Sequence, residues 1–148
     1  FGMVGSLLVN VAVDIDGVGV APAGTNSSVT IDEDAPYTVT ATDFGFTDPN
    51  DFPANTFTSV TISSLPTKGS LTLSGAAVTL NQTITVANIN AGLLRYTPAA
   101  NENGMANASF GFQVRDNGST ANVDLSPNTL TFNITAVNDA PIIDADVT

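Results

Sequence analysis

The residues able to do chemistry in this sequence are carboxylates, and they fall in short polar turns. Glu33 lies in Asp32-Glu33-Asp34, Asp48 and Asp51 bracket Asp48-Pro49-Asn50-Asp51, and Glu102 lies in Asn101-Glu102-Asn103-Gly104. Asp116 opens Asp116-Asn117-Gly118, and Asn138 and Asp139 precede Ala140-Pro141. Each turn alone reads as a solvated Asx-type turn. Together they offer hard oxygen donors from separated loops, the usual way to gather the roughly six to eight ligands that calcium takes. The chain contains no histidine and no cysteine, which excludes disulfides, zinc sites of the usual kind, and thiol or imidazole catalysis. Two carboxylates could in principle hydrolyse a glycosidic bond, but they need a cleft between them. No enzyme activity is expected.

The charge balance agrees with a cation as counter-charge. Fourteen acidic residues face three basic ones, for a formal net charge of -11. Nucleic acid and anionic membrane surfaces are therefore not the expected partners. With 148 residues, of which 43% are hydrophobic, the chain is long enough to bury a core of its own. The opening at Phe1 lacks the basic flank of a signal peptide, and its apolar stretch is too short to span a bilayer. It is expected to be a fragment of something longer.

The elements that must position these acids read as strands. Leu130, Phe132 and Ile134 alternate with Thr131, Asn133 and Thr135, the period of a half-buried strand, and Pro141 ends the pairing. The same alternation appears at Val29 and Ile31, from Tyr37 through Val39 to Ala41, at Val60 and Ile62, and at Phe110, Phe112 and Val114. Shorter runs lie at Leu71 and Leu73, from Ile84 to Val86, and at Leu94 and Tyr96, with a hairpin turn at Ser74-Gly75. The stretch from Ala87 to Gly92 predicts one helical turn with Gly92 as its left-handed stop. The sum is an all-β, immunoglobulin-like antiparallel β-sandwich of roughly seven to nine strands.

An internal repeat sets the domain limits. Asn10-Val11 through Asp16 parallels Asn133-Ile134 through Asp139, and an Ala-Pro pair follows each, at Ala21-Pro22 and Ala140-Pro141. Residues 1–20 then read as the last strand and linker of a preceding repeat, or as an added segment. Residues 21–141 are one whole repeat, and residues 142–148 start the next.

These stretches carry a resemblance. Ala21-Pro22-Ala23-Gly24, Asp32-Glu33-Asp34-Ala35, Asp43-Phe44-Gly45-Phe46-Thr47-Asp48-Pro49-Asn50-Asp51, Leu94-Arg95-Tyr96-Thr97-Pro98 and Val137 through Pro141 resemble the cadherin-like tandem repeats of large bacterial RTX-type surface adhesins. The resemblance narrows the fold to an immunoglobulin/cadherin-like antiparallel β-sandwich and implies calcium at two poles. Glu33 and Glu102 would meet the joint at Asn138 and Asp139, while Asp48, Asp51 and Asp116, followed by Gly118, would bind the joint from the preceding repeat. The upstream joint departs from the family pattern, because Val18-Gly19-Val20-Ala21-Pro22 lacks its two oxygen ligands. Asp14 and Asp16 are the nearest replacements.

The resemblance further implies an extracellular, non-enzymatic module on a bacterial surface. Calcium would stiffen it against adjacent repeats of the same polypeptide, giving length to an adhesin that serves cell-surface or biofilm adhesion. Other domains of the parent would meet surface glycans or proteins. A carbohydrate-binding sandwich is the rival reading, weakened by the absence of tryptophan. The valine-rich run from Leu7 to Val13 has unpaired edges and is expected to pair, within the chain or with a second molecule.

Overall fold

Strand formation follows the threonine-rich alternation along most of the chain. The computed structural model describes residues 19–141. The run from Leu7 to Val13, Asp14 and Asp16 lie outside them. In chain order the strands are β1 (Ser27–Asp32), β2 (Tyr37–Thr38), β3 (Phe57–Ser64), β4 (Ser70–Leu73), β5 (Ala76–Ala77), β6 (Thr83–Thr85), β7 (Leu94–Thr97), β8 (Gly104–Asp116) and β9 (Asn128–Thr135). One sheet runs β1-β9-β8-β3-β6 and the other β2-β7-β4-β5, so the expected β-sandwich is the observed fold. No helix among the described residues is long and apolar enough to cross a membrane.

Every strand pair is antiparallel except β1 with β9, which is parallel from Ser27 opposite Leu130 to Asp32 opposite Thr135. A parallel pair needs a long crossover. Here the whole of the intervening domain is that crossover, and its effect is to bring the two ends of the described chain to opposite ends of one sandwich.

The core lies between the sheets and is aromatic. Phe44, Tyr96, Phe110, Phe112 and Phe132 are fully buried. Phe132 of β9 stacks on Tyr96 of the facing sheet, with ring centroids 3.9 Å apart and planes 11° from parallel. Phe44 meets Phe112 edge to face at 4.8 Å.

Two elements differ from their predicted form. The alternation from Tyr37 to Ala41 predicts a strand, but the strand stops at Thr38 and Ala41–Phe44 forms a 3-10 helix. Asp43 is the reason. Its carboxylate accepts from the Thr40 backbone N–H at 2.8 Å and from the Tyr37 hydroxyl at 3.0 Å, curling the chain so that Phe44 enters the core. Val86 likewise leaves its strand, because the Thr85 hydroxyl caps a short helix over Val86–Asn90 by accepting from the Asn88 N–H. Gly92 follows with φ 73°, the expected left-handed stop.

Tyr37 gives a pH test of this packing. Burial first, then the negative charge of Asp43 and its hydrogen bond, push the Tyr37 hydroxyl from the ordinary 10.0 up to about 12. The fold favours the neutral phenol, so its contribution is complete below pH 10.0 and drains away as pH rises towards 12. Chemical denaturation should show stability falling across that window, and Tyr37→Phe should flatten part of the fall. The rest belongs to Tyr96, also raised by burial.

Candidate metal centre

The register of β3 against β8 places Phe57 opposite Asp116. The loop leading into β3 therefore sits beside the end of β8. That loop carries Asp48 and Asp51, and one carboxylate oxygen from each of Asp48, Asp51 and Asp116 lies within 4.8 Å of the others. Asp48 is 7% exposed and Asp116 3%. Unit charges at such separations repel by about 3 kcal/mol at an effective dielectric constant near 20.

Asp48 and Asp116 are each held by a backbone donor on one oxygen only. Asp48 Oδ2 accepts from Asn55 N at 2.9 Å, and Asp116 Oδ1 accepts from Gly118 N at 2.8 Å. Asp48 Oδ1 and Asp116 Oδ2 are buried with no hydrogen-bond partner. Buried carboxylate oxygens without partners are costly, and a cation placed among them would relieve both the missing bonds and the repulsion. Asp51 is less buried. Its Oδ1 accepts from Val20 N at 2.7 Å and its Oδ2 from the Asn55 side-chain amide. A cleft of about 210 Å³ opens beside it, lined by Gly19, Asp51, Phe52, Pro53, Asn55, Gly118 and Ser119.

A family model described as a bacterial Ig domain matches residues 19–126, most of the chain. The chain belongs to this family of bacterial Ig domains. The family is one of Ig-like repeat modules of bacterial surface proteins, typically structural and not catalytic. No curated protein matches the chain.

At the opposite end of this bacterial Ig domain the remaining predicted residues are arranged differently. Glu33 is buried at 6% exposure. Its Oε1 accepts from Val137 N at 2.6 Å and its Oε2 from the Asn103 amide at 3.2 Å. Glu33 thus clamps the segment that follows β9. Glu102 pairs with Lys68 at 2.7 Å, and the Lys68 hydrogen bond, with help from Asn107, holds its carboxyl below the usual range. Asn138 and Asp139 are exposed. Among the described residues, the acids that converge as a group of three are Asp48, Asp51 and Asp116 alone.

Sequence reasoning passed over Asp124, which stands in the Ala121-Asn122-Val123-Asp124 loop and matches no ligand of the resembled family. Asp124 is 6% exposed and accepts from Gly24 N, Ser126 N and the Asn128 amide at 2.8, 3.0 and 2.8 Å. It ties the segment before β1 to the loop before β9. Asp124→Asn is expected to cost about 1–3 kcal/mol of stability and to leave calcium affinity unchanged, as thermal melts and a calcium titration of the same variant would report. Asn55 was also missed. Its signal was faint, one asparagine in a chain rich in them.

Proposed function

We propose that this bacterial Ig domain binds calcium at the pole formed by Asp48, Asp51 and Asp116, and that it serves as a calcium-stiffened spacer in a large bacterial surface adhesin. The observation that supports it most is the pair of partnerless buried oxygens, Asp48 Oδ1 and Asp116 Oδ2, on two of the three carboxylates that converge within 4.8 Å. Calcium suits such a site because it accepts oxygen ligands in flexible geometry, completing its shell with water or backbone carbonyls. The opposite pole, with Glu33, Glu102, Asn138 and Asp139, is the half that the next repeat completes. The module works outside the cell, without catalysis, and its partners are its neighbours in the same polypeptide. The adhesin and RTX assignment rests on the motif resemblance.

Stiffening has a direct readout. Two modules joined by the native Val137-to-Pro141 joint should give a longer maximum dimension by small-angle scattering in calcium than in chelator. An identical scattering curve in both conditions overturns the spacer role.

A further inference from the structure

The upstream segment lacks the side-chain oxygens that a calcium joint ordinarily supplies, yet it reaches the metal centre by another route. Gly19 N donates to Thr120 Oγ1 at 2.8 Å, and Val20 N donates to Asp51 Oδ1 at 2.7 Å. The backbone at residue 19 lies hard against the pole. A Cβ there would meet the Thr120 carbonyl oxygen at 2.7 Å and Asp51 Oδ2 at 3.4 Å. Glycine is therefore required by close approach, not by its torsion freedom.

We propose that residues 19 and 20 form a latch that closes on the metal centre through their amide N–H groups, with Asp51 as the positioning residue that couples latch to ion. The proposal rests on the calcium reading of this pole. Asp48 and Asp116 are locked in by burial, whereas Asp51 is the partly exposed member of the three. Without a cation, mutual repulsion is relieved most cheaply by swinging Asp51 outward, and Val20 loses its acceptor. With a cation bound, Asp51 is held inward. Each of its oxygens has more than one lone pair, so Oδ1 can take the Val20 N–H while the carboxylate ligates. Residues 19 and 20 thus close this side through their backbone groups.

Coupling of this kind is reciprocal: whatever the ion does for the latch, the latch does for ion affinity, typically by about 5- to 150-fold. Gly19→Ala pushes the backbone off the pole, chiefly against the Thr120 carbonyl, without replacing any of the three carboxylates. Thr120→Val removes the acceptor of Gly19 N at an exposed site with little change of shape. The test measures calcium affinity by calorimetry in the full chain and in both variants, alongside amide hydrogen exchange at Gly19 and Val20 with and without calcium. Both variants should bind calcium at least about fivefold more weakly, and the two amides should exchange more slowly in calcium. Undiminished affinity in Thr120→Val and in a folded Gly19→Ala, or exchange at residues 19 and 20 indifferent to calcium, overturns the latch while leaving the metal centre standing. A native chain that binds no calcium removes both.

Discussion

Phe132→Ala is expected to cost about 3–5 kcal/mol of folding stability, a large share of the roughly 5–15 kcal/mol that holds a domain together. Phe132 sits in the middle of β9, between β1 and β8, and its ring joins the two sheets. It stacks on Tyr96 at 3.9 Å and meets Tyr37 and Phe110 at 6.0 and 6.2 Å. The cavity left by truncation cannot collapse easily. Tyr96 is pinned by its hydroxyl, which donates to the Lys68 carbonyl at 3.1 Å, and β9 is paired on both sides. Urea denaturation should show a much lower midpoint with an unchanged slope. A loss below about 1 kcal/mol would mean that the site repacks around the missing ring, contrary to the close-packed core described.

The second large effect is a change of sign. Asp48→Asn keeps an oxygen for the Asn55 N–H and replaces one of three clustered carboxylates by a neutral amide. In chelator it should raise the melting temperature, because it removes repulsion among groups whose oxygens lie within 4.8 Å. In excess calcium it should lower it relative to the native chain. An ion that binds only the folded state contributes about 2.7 kcal/mol at a hundredfold excess over Kd, and the variant forfeits most of that. A shift of the same sign in both conditions would reduce Asp48 to an ordinary structural acid.

Much of the architecture was legible because the alternation is strict. The Leu130, Phe132, Ile134 series and the Phe110, Phe112, Val114 series each put large side chains on one face, and both became central strands. The turn at Ala41–Phe44 was not legible, since it depends on Asp43 bonding both Thr40 and Tyr37, which alternation does not report. The parallel pairing of β1 with β9 was also hidden, because sequence neighbours say nothing about partners some hundred positions away.

The candidate site divides along the same line. The acids were visible as turn residues, and motif resemblance placed Asp48, Asp51 and Asp116 together. Their convergence in space comes from the pairing of β3 with β8, which no local spacing encodes. Gly19 and Val20 were read as a joint that had lost its ligands. Their role is carried by backbone N–H groups, and a sequence does not display those.

The most direct test of the metal centre is a calcium titration followed by backbone amide NMR shifts. The account predicts saturable shifts concentrated at Asp48, Asp51, Asn55, Asp116, Gly118 and the amides of Gly19 and Val20, all lost in Asp48→Asn. Absence of saturable shifts, or shifts centred on Glu33 and Glu102 with the Asp48 pole silent, would contradict it.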